Sequence, residues 1–214
     1  IFCFSTITSM IIMLSMVGPA LLIPLYVQNA LGLSALLSGL VIMPGAIING
    51  IMSVFTGKFY DKYGPRPLIF TGFILLISCT FLLCFLKVDT SYTYLIVIYA
   101  IRMFAVSLLM MPINTTGINA LKTEDISHGT AIMNFGRVMA GSLGTALMVT
   151  FMSIGAQWVV SSSEHASKEM IQRQSVAVGV DVSFALVTVF VIIAFVLALF
   201  IKEPNHLTHN SRKV

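Results

Sequence analysis

IFCFSTITSMIIMLSMVGPALLIPLYVQNALGLSALLSGLVIMPGAIINGIMSVFTG, residues Ile1 to Gly57, contains not one Asp, Glu, Lys or Arg. In water, a run this apolar would aggregate. In a bilayer, lipid supplies the surroundings that it needs. One helix of that length would overshoot any membrane. The run also carries a polar, glycine-containing link at Gln28-Asn29-Ala30-Leu31-Gly32, so it reads as two crossings. Working outward, the whole chain is 57% hydrophobic and 9% charged. An ordinary soluble domain carries about 25% charged residues, so lipid must face most of this one.

A crossing takes about 20 apolar residues for a hydrocarbon core about 30 Å thick. Six such runs are present, at about residues 5–28, 34–56, 68–86, 92–113, 130–156 and 182–201. Pro19 and Pro24 interrupt the first. The predicted fold is an all-α membrane protein of six transmembrane helices. Residues 157–181 read as an outer loop, holding Glu164, His165, Lys168, Glu169 and Arg173. A short amphipathic surface helix and a plain loop both remain open there.

Orientation follows from the basic residues in the connections. One side collects Lys58, Lys62, Arg66, Lys122, Lys202, Arg212 and Lys213; the other collects Lys87, Lys168 and Arg173. The first side is read as cytoplasmic, with 202–214 as a cytoplasmic tail of a multi-pass plasma-membrane protein. Tyr26, Tyr92, Tyr94 and Trp158 fall at the opposite ends of the runs, where amphipathic rings settle at headgroups. The basic residues do not cluster with aromatics as nucleic-acid binding requires, so no nucleic-acid partner is expected. Cys3, Cys79 and Cys84 lie in apolar runs and read as buried fillers, without disulfide or metal spacing. No metal or other cofactor is expected.

The connection Gly57-Lys58-Phe59-Tyr60-Asp61-Lys62-Tyr63-Gly64-Pro65-Arg66-Pro67 reads as a tight turn with charges of both signs between two helices. Gly57 would allow close helix approach, and Gly64 can take backbone angles closed to other residues. The turn resembles the Gly-x-x-x-Asp-(Arg/Lys)-x-Gly-x-(Arg/Lys) signature of the major facilitator superfamily. Gly57, Asp61, Lys62, Gly64 and Arg66 match it, while Pro65 stands where a basic residue is usual. The resemblance extends through Pro24 to Ser34, Gly39, Pro44-Gly45, Gly129 to Arg137, and Gly141 to Ala146. It is to the last six helices of the fourteen-helix drug:proton antiporters, nearest to bacterial exporters of the lincomycin-resistance and multidrug type.

That resemblance implies the C-terminal half of a proton-driven exporter, 1–214 forming one six-helix bundle whose partners are lipid, an N-terminal half and small lipophilic or cationic solutes. The 57–66 turn would be a latch that holds one conformation. The abrupt start at Ile1, without an initiator Met or basic leader, reads as truncation at the front.

Two arginines fall inside crossings, where a charge costs at least about 2.5–3.5 kcal/mol. Arg102 and Arg137 should therefore face protein or a wet cavity. The family has a functional Arg, usually followed by Gly, in the matching helix of its other half. Here Arg102 precedes Met103, and both a proton-relay role and a structural hydrogen-bonding role stay open. All eight acids lie in connections or at span ends, which places the proton site chiefly in the other half. Asp181, at the outer start of the sixth span, is the one borderline proton-site candidate here and reads first as a helix N-cap.

Asn49, Met110, Met111, Asn114 and Asn134 are polar or pliable residues near mid-depth, and are candidates for a substrate cavity. Pro112 would break the fourth span near its inner end. Gly136, Ala140 and Gly144 form a small-residue stripe suited to close helix packing in lipid. Ala46, Gly50 and Ser53/Gly57 read the same way. A membrane enzyme is disfavoured, because the spans hold no His or acid to activate a nucleophile. A non-drug solute transporter and a structural membrane subunit remain as alternatives.

Overall fold

The structure, a computed structural model, describes residues 1–162 and 168–200. Its elements are α1 (Phe2–Asn29), α2 (Ala35–Tyr63), α3 (Pro65–Leu82), α4 (Tyr92–Asn119), a 3-10 turn (Thr123–Asp125), α5 (Ile126–Ser162) and α6 (Lys168–Leu199). Among the described residues there is no strand. Each of the six long helices is apolar and long enough to cross a membrane. The protein is therefore a multi-pass membrane protein.

The helix ends follow local chemistry. Ser34 caps α2 by accepting the Leu37 N–H at 3.4 Å. At its other end, Gly64 adopts φ 78 and donates its N–H to the Tyr60 carbonyl at 2.9 Å. Pro65 then opens α3 at the position where a missing N–H does no harm. Gly32, with φ 69, makes the comparable reversal between α1 and α2.

Several boundaries differ from the sequence reading. Residues 57–63 belong to α2, so the predicted turn narrows to Gly64 between two helices. The helix is 29 residues long, about 43 Å at 1.5 Å per residue, and its charged end projects past the hydrocarbon. The 157–181 stretch is not a loop where described: residues 157–162 continue α5 and 168–181 begin α6. Ser175, Ala177 and Val180 are buried on the bundle side, which gives this helical start a face to pack despite its charges. The positions of Glu164 and His165, and the tail 202–214, lie outside the described residues. Pro19, Pro24 and Pro112 all sit inside continuous helix, so Pro112 does not end α4. Lipid offers no partner to an unwound backbone, and the remaining helical bonds hold across each proline.

Packing sets the layers. α1 touches α2, α4, α5 and α6, while α3 packs on α4 and α6. Ile12, Leu22, Phe73, Leu76, Leu109 and Val187 join these inner helices in one apolar cluster. A second cluster, with Tyr26, Leu83, Tyr99 and Phe184, occupies the Tyr92 end. α2 and α5 flank the bundle. Their apolar windows are 17% and 28% buried, against 61% for α4, so they keep the broadest uncovered faces.

Apolar burial gives little drive between helices in lipid, so backbone approach matters. A Cβ at Gly144 would lie 2.6 Å from the Leu14 side chain and 3.0 Å from Leu14 Cα. One at Gly136 would meet Met10 of α1 at 3.0 Å, and Ala140 between them is buried. The stripe of α5 thus lies on α1. Gly50, by contrast, has open space around it, so the α2 stripe does not pack there within this bundle.

Three smaller readings also change. Tyr26 is fully buried and donates to the Lys87 carbonyl, instead of lying at a headgroup. Asp181 is no N-cap: it sits well inside α6 and accepts the Leu86 N–H at 3.0 Å, tying α6 to the link after α3. Cys3 is exposed, while Cys79 is buried and Cys84 intermediate.

Candidate functional site

The end of the bundle carrying Lys58, Lys62, Arg66 and Lys122 presents the signature residues on rigid helix ends. Asp61 and Lys62 are exposed on the last turn of α2, and Arg66 on the first turn of α3. Lys62 is well placed to offset the partial negative charge at the end of α2. Its ammonium also lies 5.1 Å from the Tyr63 ring centroid. Asp61 has no hydrogen-bond or ion-pair partner among the described residues. A Cβ at Gly57 would stand 3.4 Å from Met111 Cε, which links the base of this turn to the interior.

Two adjoining hollows lie at mid-depth where α1, α2 and α4 face the uncovered side. One, of about 240 Å³, is lined by Met13, Met16, Asn49, Ser53, Ser107, Met110 and Met111 among others. The other, of about 330 Å³, shares Met16 and Asn49 and adds Tyr99 and Met103. The walls mix five methionines with aliphatic side chains, and carry an amide (Asn49) and three hydroxyls (Ser53, Ser107 and Tyr99) as polar points. Asn49 Nδ2 donates to the Met103 carbonyl at 3.1 Å, so its amide oxygen is oriented by α4. Of the five residues expected to form a cavity, Asn49, Met110 and Met111 come together here. Asn114 and Asn134 lie outside the lining of both hollows.

The arginines separate. Arg102 is fully buried, and its Nη2 donates to the Ser15 carbonyl and, at 3.0 Å, to Ser15 Oγ. It therefore ties α4 to α1. Arg137 is half-buried and donates to Asn134 Oδ1 on its own helix. The two charges do not share a site.

A profile described as the Major Facilitator Superfamily matches residues 1–145, well over half of the chain. The chain belongs to the major facilitator superfamily. Among curated relatives, the lincomycin resistance protein LmrB of Listeria monocytogenes is 37% identical over 185 residues, 86% of this chain and 39% of the relative. The MFS-type transporter YhcA of Bacillus subtilis, itself uncharacterised, is 44% identical over 150 residues, 70% of this chain and 28% of its own. The multidrug export protein EmrB of Escherichia coli K12 is 29% identical over 134 residues, 62% and 26% respectively. The chain thus spans well under half the length of these relatives.

Some contacts of this major facilitator superfamily bundle had no counterpart in the sequence reading. A Cβ at Gly155 of α5 would fall 2.8 Å from Gly179 Cα of α6, and one at Gly179 would collide with the Met152 carbonyl. A glycine on each of two helices is the available signal, without the four-residue repeat that marks Gly136, Ala140 and Gly144. Ser15 as the partner of Arg102, 87 positions away, carried no local signal at all. At the opposite end, Tyr92 Oη donates to the Leu37 carbonyl at 2.9 Å and Gln28 Nε2 to Ser38 Oγ at 3.0 Å, closing α1, α2 and α4 together.

Proposed function

We propose that this chain is the C-terminal six-helix half of a proton-coupled exporter of lipophilic or cationic compounds, working by alternating access with an N-terminal half. The observation that carries the reading is the pair of mid-depth hollows meeting at Asn49, walled by Met13, Met16, Met103, Met110 and Met111. Thioether walls adapt to apolar solutes of varied shape, while a few oriented polar groups set their pose. The names of the relatives, lincomycin resistance and multidrug export, support the same reading.

In this proposal the end with Lys58, Lys62, Arg66 and Lys122 is cytoplasmic, following the excess of basic residues. Asp61, exposed and without a hydrogen-bond or ion-pair partner among the described residues, is then placed to meet a group of the other half as the halves rock together. Arg102 acts as a structural tie between α1 and α4, and the Arg137–Asn134 pair as a shielded charge on α5. Energy comes from the proton gradient, with the titrating carboxylate supplied by the other half.

Inverted vesicles containing the full-length protein test this directly. Uptake of a lipophilic cationic dye should collapse when the proton gradient is dissipated. Uptake that continues unchanged without the gradient would reject proton coupling. Within the wall, Asn49→Leu should weaken export of substrates bearing a hydrogen-bonding edge by roughly fivefold, the equivalent of one bond worth about 1 kcal/mol. Export of wholly apolar dyes should change little. An equal loss for both classes would remove Asn49 from the site.

A further inference from the structure

The wall of the 330 Å³ hollow contains one aromatic side chain, Tyr99 of α4. A buried phenol usually finds a hydrogen-bond partner. Tyr26 does so, donating to the Lys87 carbonyl at 2.5 Å. The less covered Tyr92 and Tyr94 also donate to backbone carbonyls, at 2.9 and 3.2 Å. Tyr99 is only 2% exposed, yet its Oη has no hydrogen-bond partner among the described residues. Nor is Oη one of the unpartnered polar atoms sealed inside the bundle. The little surface that Tyr99 keeps therefore includes its hydroxyl, and the hollow is what that surface meets.

The ring is placed by what α2 lacks. Gly45 is buried beneath it: a Cβ there would lie 2.7 Å from Tyr99 Cδ1 and 2.9 Å from Cε1, with Met103 Cγ at 3.0 Å. One edge of the ring thus rests on the bare backbone of α2. Gly45, Ala46 and Asn49 share a face of α2 at helical spacing, as Tyr99 and Met103 do on α4. Asn49 Nδ2 donates to the Met103 carbonyl at 3.1 Å, which fixes the two helices at this level. Tyr99 has no room to swing toward α2.

Most other polar groups of the two hollows are already committed. Ser53 Oγ bonds the Gly50 carbonyl at 2.7 Å, and Ser107 Oγ has no accessible surface. No Asp or Glu lines either hollow, so no carboxylate there draws in a cation. A neutral phenol offers one O–H, which suits a carbonyl or a similar acceptor. An ionised solute would lose more hydration on entering than this one donor returns. We infer that Tyr99, seated on Gly45, is a specificity-determining residue of this half and selects neutral lipophiles that carry a carbonyl or comparable acceptor. The inference rests on the transport reading only in taking the hollow as a solute site.

Fluorene and fluorenone, alike in shape and differing by one carbonyl, are suitable probes. Equilibrium dialysis measures their binding to the full-length protein in nanodiscs, with the uptake of empty nanodiscs subtracted. Tyr99→Phe should weaken fluorenone binding roughly fivefold, the loss of one neutral hydrogen bond, and leave fluorene binding unchanged. Gly45→Ala, which pushes the ring into the hollow, should weaken both probes. An equal effect of Tyr99→Phe on the two probes, no effect on either, or no binding of fluorenone to the parent protein overturns the inference. Parental affinities in Gly45→Ala would overturn the seating of the ring. Proton-independent uptake in the vesicle assay, with the fluorenone split intact, would instead reject the coupling and leave Tyr99 in its role.

Discussion

Gly179→Leu is expected to abolish recovery of folded full-length protein from membranes. A Cβ at this position would run into the Met152 carbonyl of α5, and Gly155 faces Gly179 from the opposite helix. The obstacle is backbone, which cannot swing aside as a side chain can. Overpacking in a core costs about 1–3 kcal/mol even where side chains can adjust, and here the whole α5–α6 contact must open. In lipid, no apolar burial compensates for the lost approach. Gly50→Ala supplies the contrast, since a Cβ there meets nothing within 4 Å and removing a helical glycine favours the helix by roughly 1 kcal/mol. Size-exclusion profiles of detergent-extracted protein measure both. A sharp, monodisperse Gly179→Leu peak with an unchanged melting temperature would contradict the packing described for α5 and α6.

Asp61→Asn is expected to eliminate transport while leaving insertion and melting temperature close to those of the parent. The side chain is exposed at the end of α2 and makes no hydrogen bond or ion pair among the described residues. Replacing it therefore removes a charge without opening the core. If Asp61 meets the other half in one stage of the transport cycle, losing the charge unbalances the two conformations. A shift of about 1.4 kcal/mol already changes their ratio tenfold. Dye export in inverted vesicles, alongside thermal melting, separates the outcomes. Transport at the parental rate would leave Asp61 as an ordinary loop charge. Loss of insertion would make it a structural residue.

The parts of this account that were legible in the sequence are those that depend on solvent. The charge-free run from Ile1 to Gly57 and the spacing of the later apolar runs carry the all-helical membrane fold, because lipid imposes one rule on every residue that it touches. The Gly57–Arg66 signature and the sequence likeness pointed to the family for a different reason: those positions were matched as a pattern. What was not legible depends on tertiary partners. Tyr26 has the composition of a headgroup anchor but is covered by the link that follows α3. The 157–181 stretch reads as polar because its charges are counted without regard to helix face, whereas Ser175, Ala177 and Val180 turn inward. Asn134 looked like a cavity residue at mid-span, yet it is exposed and engaged by Arg137 from one turn away on the same helix. Asn49 lines both hollows because α2 is thinly covered, so a polar residue at its middle has few other places to face.

Everything proposed for transport depends on which side of the membrane receives the Asp61 end of α2. A single cysteine at Lys62, in an otherwise cysteine-free full-length protein, can be challenged with a membrane-impermeant maleimide. No labelling is expected in intact cells, and rapid labelling in inverted vesicles. Labelling from outside intact cells would reverse the topology and contradict the assignment of this turn as a cytoplasmic latch.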